Sequence, residues 1–130
     1  NQKIFDLGTG GGIPGVPLAI TSNNVINLVD IKESRINELI RLQNILQLKN
    51  VKPTLQDAKT TILKEGYFVS RCYISSQNAL NLLNNKKNTT YIVSSNEKEL
   101  DYDKNMFHVK HMNFYINKED LRHIDVITVK

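Results

Sequence analysis

Five of the chain's six glycines fall within residues 5–20, FDLGTGGGIPGVPLAI. They follow the short apolar run 3–7 and precede Pro14, which suits a helix start because its missing N–H would have no partner there anyway. The order is strand, bare loop, helix. Glycine lets a loop adopt backbone angles closed to other residues and lets another group approach the main chain. A strand feeding such a loop, with a helix leaving it, is the opening unit of an α/β sheet.

The rest of the chain continues that alternation. Residues 25–30 (VINLVD) read as a second strand. Over 34–48, Ile36, Leu39, Ile40, Leu42 and Leu46 fall on one helical face. Residues 51–56 read as a short strand, with Pro53 placing it at a sheet edge. A fourth strand is predicted at 67–70, a helix at 77–83, a polar turn at the NNKKN segment 84–88 and a strand at 89–95. Two more strands follow, near 107–114 and 125–130. Alternation predicts a mostly parallel sheet with right-handed crossovers. The last two strands lack a helix between them and predict an antiparallel edge hairpin at the C-terminus. No repeat or internal linker divides residues 1–130, so one domain is expected.

Composition narrows the class. The chain has 130 residues, 40% hydrophobic and 23% charged, as in soluble domains. No apolar run approaches the ~20 residues of a membrane span, and no charged-then-apolar leader is present. The single cysteine, Cys72, excludes an internal disulfide and suits a reducing, cytoplasmic setting. The net charge of +4 mildly favours an anionic partner. Because Lys, Asn and Ile are plentiful, a lysine at any one position says little. The chain starts at Asn1 on the threshold of a strand, and is expected to be a piece of a longer protein.

Two nucleoside cofactors fit the loop. Gly10, Gly12 and Gly15 match the dinucleotide pattern G-x-G-x-x-G, and Asp30 follows at the spacing of a ribose-binding acid. In the other register, Asp6-x-Gly8-x-Gly10-x-Gly12, an acid ends the strand and glycines alternate after it, as in the class I S-adenosylmethionine (AdoMet) methyltransferases. AdoMet is a sulfonium without phosphates, so close backbone approach and a nearby carboxylate such as Asp6 suit it. Asp30 accepts from ribose hydroxyls in either register.

The longer segment DLGTGGGIPGVPLAI resembles the first motif of the RsmG (GidB) family, bacterial enzymes that methylate guanine N7 in small-subunit ribosomal RNA. The tail Ile13-Pro14-Gly15-Val16-Pro17-Leu18 is its specific part. LVDIKESRINEL (28–39, with Arg35), VSRCYISSQNAL (69–80) and RHIDVITVK (122–130) resemble later family segments in order and spacing. The resemblance implies a Rossmann-like class I fold, AdoMet as cofactor and small-subunit rRNA as partner. A monomer without a metal is expected, and against the family pattern the amino-terminal helical segment is absent from these residues. The resemblance assigns Asp6, Gly8, Gly10, Gly12, Pro14, Asp30, Asp57 and Ala58 to the cofactor, Arg71 to catalysis and RNA, and Arg122 to RNA. Departures accompany it. The family's Lys-Gly pair after strand five reads Val93-Ser94-Ser95, the Lys of its Lys-Arg pair is Ser34, and Gln56-Asp57-Ala58-Lys59 replaces an arginine with a nearby acid. The missing Lys-Gly pair leaves standing a module that binds AdoMet or RNA without turnover, and the literal G-x-G-x-x-G leaves standing a nicotinamide-dependent oxidoreductase.

Guanine N7 carries a lone pair and no proton, so its methylation requires no general base, and no catalytic triad is expected. Ser70-Arg71-Cys72 departs from the Asp/Asn-Pro-Pro-aromatic segment of exocyclic amine methyltransferases. Arg71 sits where α/β sheets bind ligands and is placed to meet guanine O6 or a phosphate; the plainer reading is a surface arginine. Cys72 follows arginine rather than proline, which disfavours a nucleophile and favours a small buried filler. His108 and His111 fall on opposite strand faces, with no carboxylate cluster expected beside them. Lys86 and Lys87 read as a solvated turn, and His123 as part of the family-like ending.

Overall fold

The computed structural model describes residues 2–71, 73–84, 86–96 and 98–130. Cys72 and part of the 84–88 turn lie outside them. The elements are β1 (Lys3–Leu7), α1 (Gly15–Thr21), β2 (Val25–Asp30), α2 (Glu33–Leu46), β3 (Val51–Leu55), α3 (Ala58–Thr61), β4 (Gly66–Arg71), α4 (Ser76–Leu82), β5 (Asn88–Ser94), β6 (Phe107–Asn117) and β7 (Asp120–Val129). They form a seven-stranded sheet in the order β3-β2-β1-β4-β5-β7-β6. The first five strands are parallel, and β7 joins β5 antiparallel, with β6 as its hairpin partner outside. The expected α/β class with a C-terminal edge hairpin is what forms, and Pro53 does lie on an edge strand.

Alternating side chains send each strand's residues to two faces. On one face, under α3 and α4, Phe5, Leu7, Val29, Ile62, Phe68, Ala79, Leu80, Ile92 and Ile127 share a core, with Phe5 and Phe68 stacked at 5.2 Å. On the other face α1 and α2 press Val16, Ala19, Ile36 and Leu39 onto Ile26, Leu28 and Val51. The chain winds outward from β1 to β3 and returns to the other side of β1 with β4. That reversal opens a crevice at the carboxyl ends of β1 and β4, the usual ligand position in open α/β sheets.

Two expectations shift. Helix α2 spans Glu33–Leu46 and stops two residues early, because Gln47 takes a left-handed conformation and its N–H caps Gln43 O. Ile40 and Leu46, expected on its buried face, are 42% and 44% exposed. The helix rests on the sheet margin, where only the narrow stripe from Ile36 through Leu39 to Leu42 reaches the core. The hairpin is longer than its apolar runs, because β6 and β7 carry their pairing on to Asn117 and Asp120. The end of β5, Ser94, pairs with His123, so the hairpin tip overhangs the sheet at the crevice edge.

Candidate active site

The glycine loop is fixed from below by a buried acid. Asp6, 1% exposed, accepts from Thr9 Oγ1 at 2.6 Å and from the Gly15 N–H at 2.9 Å, both on Oδ2. Its Oδ1 is buried with no partner among the described residues. Burial pushes the Asp6 carboxyl up to about 6 from 3.8. The two hydrogen bonds and the positive charge of Arg71 act against that rise, and the charge of Asp30 adds to it. Asp30 holds the loop from the side: Oδ2 accepts the Gly10 N–H at 3.0 Å and Oδ1 the Lys32 N–H at 3.0 Å. Thr9 N–H donates to Val29 O, completing the tie to β2.

The glycines are bare for different reasons. A Cβ on Gly8 would lie 2.3 Å from the ring of Tyr73. One on Gly12 would meet Val16 and Leu39, and one on Gly15 would meet Leu28 and Asp6. These three make room for the protein itself. At Gly10 nothing lies within 4 Å, and φ is +56°, a region that costs β-branched residues strain. Close approach by a ligand is therefore available at Gly10, between Asp6 and Asp30.

The other candidate residues occupy the same edge. Pro14 precedes α1 after a cis Ile13–Pro14 bond. Gln56 N–H donates to Asp30 O, which sets Asp57 beside the crevice, where its side chain caps α3 by accepting Lys59 N–H. Ala58 is buried in the core against Ile62. Arg71 ends β4 on the same sheet face as Asp6, exposed, with no ion pair among the described residues. Arg122 lies on the hairpin overhang, ion-paired with Asp120. Lys86 and Lys87 are exposed.

Next to the crevice is a cavity of about 620 Å³ between the start of α4, the end of β5 and the middle of β7, lined in part by Tyr73, Ser76, Val93, Ser94, Leu100 and Asp125. The buried Asp125 accepts from Ser76 Oγ on Oδ2 at 2.5 Å and from His111 Nδ1 on Oδ1 at 2.6 Å. His111 thus has one carboxylate beside it, and no group of three or more metal-ligating side chains forms among the described residues. Asp125 stands directly across the β6–β7 pair from His111, a closeness that sequence spacing conceals. His108 does point to the other face. The rings of His111 and His123 stack at 5.4 Å, and His123 Nδ1 donates to Asn113 Oδ1 at 2.7 Å.

The sheet order, the loop geometry and the acids at the ends of β1 and β2 describe a nucleoside-binding crevice, and one comparison is decisive. The model of the family described as rRNA small subunit methyltransferase G, or GidB, matches residues 1–124. The chain belongs to this family. The ribosomal RNA small subunit methyltransferase G of Clostridium perfringens is 48% identical over 52 residues, 39% of this chain and 22% of that protein. The protein of the same name from Pectobacterium atrosepticum is 33% identical over 87 residues, 64% of this chain and 42% of that protein. The chain spans less than half the length of these curated relatives. Among solved structures, a SAM-dependent methyltransferase from Aquifex aeolicus superposes with a TM-score of 0.62 at 14% identity. The match covers 98% of this chain and 81% of that one, a likeness of fold.

Within this GidB-family chain, reading the sequence missed Tyr73, Ser76 and Asp125. The segments holding them, VSRCYISSQNAL and RHIDVITVK, stand out in the sequence for Arg71, Cys72, Arg122 and His123 rather than for these three. The available signal was Asp125 itself, a carboxylate flanked by Ile124 and Val126 at a strand position that alternation turns toward the core.

Proposed function

We propose that this chain transfers a methyl group from AdoMet to N7 of a guanine in small-subunit ribosomal RNA. The observation that carries the reading is the Gly10 cradle: an open, positive-φ glycine held between Asp6 and Asp30 at the sheet's reversal point, in a chain of the GidB family.

The residues present fit the cofactor. Asp6 keeps a buried oxygen with no partner among the described residues, which suits a cation. Asp30 spends one lone pair on each oxygen holding the loop, and a carboxylate has about four acceptor sites, so it retains capacity for ribose hydroxyls. Gly8, Gly12 and Pro14 shape the loop, and Asp57 with the adjoining Ala58 flanks it beyond β3. Bound AdoMet supplies an electrophilic methyl on sulfur. The chain's task is then to align N7 with that methyl and exclude water, and N7 has no proton to remove. Arg71 at the end of β4 is the group placed to hold the target nucleotide through O6 or phosphate. Arg122 stands farther out on the same edge.

A second reading has one observation behind it. Ser94 and Ser95 line the cavity where the family resemblance implies a Lys-Gly pair, which favours a module that binds without turnover. Calorimetry with AdoMet and with NAD, followed by methyl transfer onto small-subunit RNA lacking the modification, separates the readings. AdoMet binding with N7-methylguanine formed supports the proposal. Binding without product favours the module, and NAD binding alone overturns both. Arg71→Ala is expected to slow transfer by about a hundredfold, the cost of a misaligned reacting pair, while leaving AdoMet affinity unchanged.

A further inference from the structure

The polar groups around the cavity form one connected arrangement. Asp125 belongs to β7, and its side chain lies on the sheet face that α4 covers. Farther from the crevice that face is apolar across the hairpin: Ile127 opposite Val109, then Val129 opposite Phe107. At Asp125 the pattern changes. Asp125 lies opposite His111, and His123 opposite Asn113. The change falls at the first residue of α4, whose Ser76 hydroxyl reaches Asp125. A carboxylate 8% exposed, where apolar neighbours would fill the same face, has a cost of burial that its partners must offset.

We propose that this cavity seats the target guanine, with Asp125 accepting from its N1–H and exocyclic amine and Tyr73 flanking its ring. The inference rests on the methyltransferase reading above and adds the base-recognition residue to it. Three observations support it. First, a carboxylate offers about four acceptor sites. Ser76 and His111 occupy one on each oxygen. Among the described residues nothing else bonds Asp125, which leaves two acceptors, one per oxygen, and guanine alone among the standard bases presents two adjacent donors on its Watson–Crick edge. Enzymes that act on an extruded base read it through that edge and hold its faces with aromatic or apolar groups.

Second, the spacing suits N7 chemistry. Asp125 is on β7, two strands from the end of β4, a distance of ~10 Å at the usual strand separation. N7 is bonded to C5, directly across the six-membered ring from C2, the carbon of the Watson–Crick edge that carries the exocyclic amine. A guanine with that edge on Asp125 therefore turns N7 back toward the crevice. Third, the cavity adjoins the cradle. Tyr73 lines the cavity, and its ring covers the bare Cα of Gly8. One aromatic side chain thus forms the wall between the cofactor loop and the space beyond. A volume of about 620 Å³ is within the range of small-ligand sites. Ser76 and His111 are positioning residues: they fix the carboxylate plane and leave its outer lone pairs free.

The test compares two short oligouridylate strands, one carrying a guanosine and one an inosine, which differ only in the exocyclic amine. Binding of each to this chain is measured with S-adenosylhomocysteine present, so turnover is not needed. The guanosine strand is expected to bind about tenfold more tightly, the scale of one hydrogen bond to a charged group. In Asp125→Asn that ratio falls toward one. The side-chain carboxyl resonance of Asp125 in the unsubstituted chain, followed by NMR, is expected to move with the guanosine strand and less with the inosine strand. This readout holds even where the variant fails to fold. Equal binding of the two strands, an unchanged ratio in a folded Asp125→Asn variant, or a silent Asp125 resonance overturns the proposal. Methyl transfer is read separately. Guanosine preference without transfer keeps the base pocket and removes the methyltransferase function, whereas transfer to N7 with equal binding does the reverse.

Discussion

The two ends of the crevice are built by opposite means. In the cradle, Asp6 bonds Thr9 three positions on and Gly15 nine positions on, and Asp30 bonds Gly10 twenty positions back. At the cavity, Asp125 bonds Ser76 across 49 positions and His111 across 14. The first region is one supersecondary unit, closed by a single β-α-β turn. The second exists only after β4, α4, β5 and the hairpin have all docked. The cradle therefore follows from a short segment, and the cavity follows from topology.

If the cradle is a self-contained device, one substitution in its open glycine should remove the cofactor and leave everything else. Gly10→Val has space for its side chain, but places a β-branched residue at a φ of +56°, at a cost of about 1–3 kcal/mol. The added methyls stand where a ligand would approach. AdoMet affinity is expected to fall by more than about a hundredfold, since relaxing that strain moves the Gly10 N–H off Asp30 and each such bond counts for ~1–3 kcal/mol. Guanosine binding in the cavity should persist. Paired calorimetric titrations check this. Loss of both ligands together breaks the comparison, because the two regions would then act as one unit. Normal AdoMet binding removes Gly10 from the site.

The same contrast explains how much was legible. Strand, loop and helix around residues 3–21 were readable because glycine spacing, Pro14 and the acids at strand ends express local requirements. Pro53 announced its edge strand for a similar reason, since its backbone cannot donate within a central ladder. The exposed sides of Ile40 and Leu46 were not readable, because helical periodicity marks an apolar face without saying how wide a surface receives it. Sequence spacing puts no carboxylate within reach of His111. Its partner lies across a hairpin whose turn, Asn117 to Asp120, is all polar and gave no register. Tyr73 was passed over because its value lies in contact with Gly8, across the gap between two non-adjacent loops.

A smaller effect sharpens the cradle side. Burial raises Asp6 from 3.8 to about 6. Below pH 3.8 the carboxyl is protonated in both folded and unfolded chains. As pH rises from there to about 6, the unfolded chain loses a proton that the folded chain keeps, so the folded chain loses stability, by about 3 kcal/mol in total. Above about 6 the contribution is constant. Urea unfolding of the parent chain and of Asp6→Asn between pH 4 and 7 should give curves that diverge by that amount. The variant gains relative to the parent as pH rises, even though it loses hydrogen-bonding quality to Thr9 and Gly15. A cation bound beside Asp6 favours the ionised form, so AdoMet should bind more tightly as pH rises through about 6. Parallel stability curves would show that the buried carboxyl titrates normally and that Thr9 and Gly15 fully offset its burial.

The smallest expected effect separates the two arginines, one at each end of the crevice. Arg71 has no ion-pair partner among the described residues, whereas Arg122 is paired with Asp120 on the hairpin overhang. A phosphate contacted by Arg71 meets an available guanidinium. One approaching Arg122 must compete with a carboxylate already in place, and a half-exposed pair of that kind is worth only about 0–1 kcal/mol to stability. Each neutralised phosphate on a single strand contributes about 0.7 to the slope of log affinity against log salt. Arg71→Ala is expected to reduce that slope by about one such contact. Arg122→Ala should leave the slope unchanged and lower RNA affinity by no more than about twofold, through the unpaired charge left on Asp120. Salt titrations of RNA binding by both variants decide it. Were Arg122→Ala to lower the slope as much as Arg71→Ala, the overhanging hairpin would belong to the RNA-binding edge, with Asp120 as a counterion that RNA displaces.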